Sequence, residues 1–162
     1  MRIEGSVAVV TGGVSGLGFG AARRFIDGGG SVVVLDINEA RGKQAAGELG
    51  GNSRYMSCDV SNSDDVRTAF DGAVETFGKV DILVNAAGVA PPQRVLSRDG
   101  SMHDLDLFRF VVGVNLIGMF DVIRNAARVM AANEPGDSGE RGVVINVASI
   151  AAQRQLSKNQ RR

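Results

Sequence analysis

Two features carry the first chemistry legible in this 162-residue chain: the octet TGGVSGLG at 11–18, and an aspartate, Asp36. The octet lies between an apolar run, SVAVVT (6–11), and a stretch with helical spacing, GLGFGAARRFIDGG (16–29). At such a junction Gly12 lets the chain turn sharply. Gly16 and Gly18 bring a helix N-terminus close to a ligand with no Cβ in the way. Ser15 and Leu17 belong to the same turn. Exposed N–H groups and the positive end of a helix dipole favour a pyrophosphate there; a merely structural turn is the plainer alternative. Asp36 closes SVVVLD (31–36), the position from which a carboxylate accepts hydrogen bonds from adenosine ribose hydroxyls. A 2′-phosphate would meet a like charge with no adjacent arginine, since Ile37 and Asn38 follow, so the pattern favours NAD over NADP. The alternative for Asp36 is a helix-capping role.

Other reactive residue types are scarce. Cys58 is the single cysteine, which excludes an internal disulfide and fits a reducing compartment. It reads as a small buried strand residue, with a catalytic thiol as the alternative. His103 is the single histidine and lies in a polar stretch suited to a surface loop. Neither a His-rich zinc site nor a His-based triad can be built from it. Tyr55 is the single tyrosine, and there is no tryptophan.

The elements that must position these residues alternate. Apolar runs at 6–11, 31–36, 54–60, 80–88 and 142–149 read as strands. The segments 16–29, 38–50, 61–78 and 104–132 read as helices, with Asn38 a cap, Gly50 or Gly51 a stop and Gly78 another stop. The strands are short and apolar without alternation, as parallel strands covered on both faces should be. The α/β order predicts a doubly wound, Rossmann-like parallel sheet of about five strands with right-handed crossovers. Two loops break the rhythm, APPQRVLSRDGSMHD (90–104) and NEPGDSGERG (133–142).

Hydrophobic content of 44% and 22% charged residues suit one globular domain with a real core. The formal charge of zero excludes a strong electrostatic footprint for nucleic acid or an anionic membrane. The zero hides a division. Residues 151–162 carry Arg154, Lys158, Arg161 and Arg162 and no acid, leaving fourteen basic and eighteen acidic residues in 1–150. No window reaches the roughly 18 apolar residues of a membrane span. The start, MRIEGSVAVV, shows no leader pattern, so a cytoplasmic location is expected.

The spacing T-G-x-x-x-G-x-G at 11–18, taken with NAAG at 85–88, resembles the short-chain dehydrogenase/reductase family. CDV (58–60), Asn115 and INVAS (145–149) match further motifs in order, and the resemblance covers residues 1 to about 152. Within the family, the loop at 90–104 and residues 133–152 look like the type II 3-hydroxyacyl-CoA dehydrogenases. The resemblance implies NAD held by Gly12, Ser15, Gly16, Leu17, Gly18, Asp36, Asp59, Val60, Asn85, Ala86 and Gly88. Asp59 would touch the adenine. It implies Asn115 and Ser149 as catalytic, the serine hydroxyl bonding the substrate oxygen. The substrate would be a small-molecule secondary alcohol, a 3-hydroxyacyl-CoA or a related alcohol such as a hydroxysteroid, and the assembly a homo-oligomer. The resemblance also admits the mitochondrial matrix. Each residue keeps a bland alternative: Asn85 could close a turn, Asn115 could be a hydrogen-bonded core amide, and Ser149 could be a strand-end serine.

Alcohol oxidation in this family further needs a tyrosine base, with a lysine one helical turn later that lowers its pKa. The tyrosine belongs about thirteen positions after the serine, where Arg162 stands. RQLSK (154–158) echoes the family's tyrosine–lysine pattern, but Arg154 takes the tyrosine's place and guanidinium is no base. After Ala152 the apolar pattern ends, so 1–152 reads as a partial dinucleotide-binding domain and 153–162 as a polar basic tail. The expectation is a C-terminally truncated family chain, inactive for want of the tyrosine and lysine. Its fifth strand should lie at a sheet edge and much of the 104–132 helix should be exposed, giving marginal stability and poor solubility. The alternatives are a non-catalytic nucleotide-binding or interaction module, and a truncation product without function.

Overall fold

The computed structural model describes residues 1–149. The tail expected at 153–162, with Arg154, Lys158 and Arg162, lies outside the described residues. Five parallel strands run in the order β3-β2-β1-β4-β5: β1 Val7–Thr11, β2 Ser31–Asp36, β3 Ser53–Ser57, β4 Ile82–Asn85 and β5 Val143–Asn146. The helices are α1 Gly16–Asp27, α2 Glu39–Leu49, α3 Ser63–Phe77, α4 Leu105–Val112 and α5 Met119–Met130. The fold is the expected doubly wound, Rossmann-like sheet.

The continuous apolar runs split by parity, because successive strand side chains point to opposite faces. Val9, Val33, Leu35 and Leu83 pack on one face with Val66, Phe70, Val122 and Ala126 of α3 and α5. Ala8, Val10, Val32, Val34, Ile82 and Val84 pack on the other with Ala22, Phe25, Ala45 and Leu49 of α1 and α2. Both faces are covered, which is why β1, β2 and β4 show no polar alternation. Burial of a side chain such as Phe70, fully enclosed, contributes about 1.5–3 kcal/mol.

Helix ends follow local chemistry. Asn38 Oδ1 accepts from Arg41 N at the start of α2, and Asn62 Oδ1 from Asp64 N and Asp65 N at the start of α3. Gly50 and Gly78 stop these helices at positive φ, 91° and 81°.

Four expectations need correction. The fourth strand, read at 80–88, spans only Ile82–Asn85, since its register with β1 ends at Thr11. The third strand ends at Ser57 rather than at residue 60, because its neighbour β2 ends at Asp36, the register partner of Ser57. Cys58 is therefore buried but beyond the strand. The fifth strand ends at Asn146, opposite Asn85, so Ser149 lies three residues past it. The 104–132 helix is interrupted by a π-helical segment, Gly113–Gly118, between α4 and α5. There the chain passes so close to the Val60 carbonyl that a Cβ on Gly118 would lie 2.7 Å from its oxygen. The inward face of this helix is Val114, Val122, Ala126, Val129 and Met130. The stripe that includes Leu105, Phe108, Leu116 and Phe120 points outward. β5 is exposed along its length at the sheet edge.

Candidate nucleotide site

Parallel register brings the strand ends to one level. Thr11 pairs with Leu35 and with Asn85, and Asn85 pairs with Asn146. Gly12, Asp36 and Ala86 therefore follow side by side at the C-terminal edge, on either side of the point where the chain reverses direction across the sheet, the usual place for a ligand crevice.

The loop after β1 nests on the loop after β4. Gly12 has φ +62°, and a Cβ there would stand 2.8 Å from Ala87 N. A Cβ on Gly13 would stand 2.8 Å from Val34 Cγ1, and one on Gly18 would collide with the Gly12 carbonyl oxygen. Thr11 Oγ1 accepts from both Ala86 N and Ala87 N at 3.2 Å. Asn85 is buried, its Nδ2 donating to Asn146 Oδ1 at 2.9 Å. Gly16, at φ +50°, opens onto free space, with no atom within 4 Å of where a Cβ would be. Ser15 takes the N-cap place of α1 without capping it through its side chain. The first-turn N–H groups of α1 thus lie beside an open volume with no acidic side chain near them in that turn. A phosphate fits such a setting. Leu17 is exposed, not part of the inward face of α1.

Asp36 is half-buried at the end of β2. Its Oδ1 accepts from Asn38 N at 3.0 Å, and its carbonyl accepts from Tyr55 Oη at 2.9 Å and Cys58 N at 3.1 Å. The ring of Tyr55 fills the space that a side chain on Gly42 would need. Asp59 is exposed and turned on its own segment, Oδ1 accepting from Ser61 N at 2.9 Å and Ser61 Oγ at 2.7 Å. Val60 is buried. Burial first, then the carboxylates of Asp65, Asp59 and Asp121, push the Cys58 thiol up to about 12, which makes it inert.

Asn115 lies in the π-helical segment and grips the loop after β4 from both sides. Val89 N donates to its Oδ1 at 2.9 Å, and its Nδ2 donates to the Val89 carbonyl at 2.7 Å. Gly88 passes beside it, a Cβ there lying 3.3 Å from Oδ1. Ser149 is the last described residue and is exposed. His103 sits in the loop before α4, edge-on to Phe108.

The structure thus gathers Gly12, Ser15, Gly16, Gly18, Asp36, Asn85, Ala86, Gly88 and Asn115 about one edge. Sequence reasoning quoted Thr11 and Asn146 within motifs and noted Tyr55 but gave none of them a place in the site, and it missed Arg41, whose Nη2 donates to the Val14 carbonyl at 3.2 Å. Strand register would have pointed to Thr11 and Asn146. A cleft of 530 Å³ opens at the opposite edge, lined by Arg2, Glu4, Lys79, Asp81, Glu134 and Arg141 among others, away from all of these residues. Among the described residues, no cluster of potential ligands could hold a metal ion, and no helix is long and apolar enough to cross a membrane.

Comparison with known proteins finds relatives along nearly all of the chain. The rat 3-hydroxyacyl-CoA dehydrogenase type-2 is 43% identical over 151 residues, which are 93% of this chain and 58% of that protein. Zerumbone synthase of Zingiber zerumbet is 37% identical over 94% of this chain and 54% of its own length. The crystal structure of 3-hydroxyacyl-CoA dehydrogenase type-2 from Mycobacterium avium superposes with a TM-score of 0.86 at 36% identity, over 93% of this chain and 58% of that one. The chain therefore spans little more than half the length of these relatives. The family model described as short chain dehydrogenase matches residues 6–160, nearly the whole chain, and the chain belongs to that family.

Proposed function

We propose that these residues form the nucleotide-binding part of an NAD-dependent dehydrogenase of secondary alcohols, with a 3-hydroxyacyl-CoA as the substrate class. The observation that carries this reading is the open, uncapped N-terminus of α1 on the same edge as Asp36. Backbone N–H groups of the first turn of α1 would hold the pyrophosphate, and the Asp36 carboxylate would accept hydrogen bonds from the adenosine ribose hydroxyls. NAD, when bound, supplies a hydride acceptor for the carbinol carbon. Asn115 keeps Gly88 and Val89 in place where the nucleotide would continue along the edge. Ser149 would donate its hydroxyl hydrogen to the substrate oxygen. The choice of NAD rests on the carboxylate of Asp36, which repels a 2′-phosphate.

The hydroxyl proton of the substrate needs an acceptor within hydrogen-bond reach. The one tyrosine of these 162 residues, Tyr55, donates to the Asp36 carbonyl on the adenosine side and is not placed for that task. The 162-residue chain by itself is thus expected to bind NAD and not to oxidise the alcohol. A second reading, an interaction module without catalysis, is favoured by the outward apolar stripe of α4 and α5. That stripe also suits a second copy of the chain in a homo-oligomer.

Calorimetric titration of the monodisperse chain with NAD and NADP tests the proposal, alongside an absorbance assay for reduced nicotinamide with a 3-hydroxyacyl-CoA. Saturable NAD binding, weaker NADP binding and no turnover are expected. Binding of neither dinucleotide would overturn the nucleotide reading; turnover would overturn the inactivity.

A further inference from the structure

We propose that Arg41 is a positioning residue of the nucleotide site, tying the crest of the glycine loop to the start of α2. It thereby fixes the loop amides relative to Asp36. This rests on the nucleotide reading above.

Val14 is the crest of that loop. Its side chain is buried in the cluster with Val10, Val34 and Ala45, which anchors the residue on its apolar side. The Arg41 guanidinium reaches the Val14 carbonyl across a sequence separation of 27, Nη2 donating at 3.2 Å. Its other arm is braced within α2: Nη1 donates to Gln44 Oε1 at 2.7 Å, and Gln44 Nε2 to Glu48 Oε1 at 2.8 Å.

The backbone end of Arg41 leads to the second half of the site. Arg41 N donates to Asn38 Oδ1 at 3.0 Å, and Asn38 N donates to Asp36 Oδ1 at 3.0 Å. One residue later, Gly42 leaves room for the Tyr55 ring, whose hydroxyl donates to the Asp36 carbonyl. The first turn of α2 is therefore locked to the end of β2 and, through one guanidinium, to the loop after β1. A planar, multi-donor guanidinium suits this bridging better than a flexible ammonium, which offers the Val14 carbonyl a donor but loses the second arm. The other loop contacts are Gly12 on Ala87, Gly18 on Gly12, Gly13 against Val34 with its N–H donating to the Leu35 carbonyl at 3.3 Å, and the buried Val14 side chain; Arg41 adds the tie from the loop to the first turn of α2.

Arg41→Ala and Arg41→Lys, compared with the unaltered chain, test this by hydrogen exchange of the 11–18 segment without ligand, urea unfolding and NAD calorimetry. For Arg41→Ala we expect about tenfold faster exchange confined to the loop, with an unfolding midpoint near that of the unaltered chain and an NAD Kd raised about tenfold, the scale of one charge-assisted bond. Arg41→Lys should recover part of both effects. Unchanged loop exchange and unchanged Kd overturn the role. So does faster exchange throughout α2 with a lowered midpoint, which would make Arg41 a support of the helix alone. If the unaltered chain binds no NAD, the nucleotide reading fails with everything resting on it, whereas loss of loop protection and of affinity together in Arg41→Ala sustains both.

Discussion

Gly18 and Gly20 lie two residues apart in α1, and the same substitution should move stability in opposite directions. A Cβ on Gly18 would overlap the Gly12 carbonyl oxygen and stand 2.9 Å from the Gly12 carbonyl carbon and 3.1 Å from Gly13 Cα. All three are backbone atoms of a loop already pressed on Ala87, so no side chain can swing aside. Overpacking of this kind costs up to about 3 kcal/mol, and the better helix propensity of alanine returns about 1 kcal/mol. Gly18→Ala should therefore lose about 2 kcal/mol of stability. At Gly20 nothing lies within 4 Å of the added carbon. Only the propensity gain applies, so Gly20→Ala should add about 1 kcal/mol. Urea unfolding of both variants reads the difference directly, and NAD calorimetry reads its consequence: Gly18→Ala unseats the loop and weakens binding, Gly20→Ala leaves it as it was. A Gly18→Ala variant as stable as the parent, binding NAD equally well, would refute the close approach of loop and helix.

Asp36→Ala should weaken NAD by about 1–3 kcal/mol, the scale for hydrogen bonds to a charged acceptor; an unchanged dissociation constant would remove Asp36 from the site. Asn115→Ala strips the Val89 N–H and carbonyl of their side-chain partners and should cost about 1–3 kcal/mol in unfolding free energy, which a neutral urea midpoint would contradict. The Cys58 thiol, pushed up to about 12 by burial, should resist iodoacetamide at pH 8 until urea unfolds the chain, and rapid labelling of the folded protein would contradict its burial. The folded chain keeps this proton where the unfolded chain releases it, so a share of stability is lost as pH rises from about 9 toward 12.

What the sequence made legible was local. The β-branched runs of β1 and β2 and the cap Asn38 act within a few residues, and so do the stops at Gly50 and Gly78. Strand ends were less legible, because β3 and β5 stop where their neighbours stop. Cys58 and Ser149 consequently fell outside strands that their own propensities would have continued. The apolar residues of 104–132 run almost all the way round the helix, so periodicity alone could not tell inward Val122 from outward Phe120. In the site, the glycines and Asp36 announced themselves through a motif. Thr11 on Ala86 and Ala87, Asn85 on Asn146 and Arg41 on Val14 are contacts of register and crossover, between residues 27 to 76 apart in sequence.

The π-helical turn at Gly113–Gly118 amounts to one surplus residue wound into a helix that otherwise keeps its 3.6-residue pitch. It acts as a phase shift. The inward positions of α4 and α5, counted along the sequence, slip by one residue across it, and Asn115 sits at the seam. Removing one residue from the seam would close the wide turn to α pitch, leaving α4 and α5 in about their present angular relation but displacing Asn115, which lies within the turn. The inward set of α5 could then be kept, but the Asn115 clamp on Val89, which the wide turn presents, could not. Length through this stretch is therefore constrained more tightly than residue type: single substitutions at exposed Leu116 or Ile117 should be absorbed, while a one-residue deletion should not.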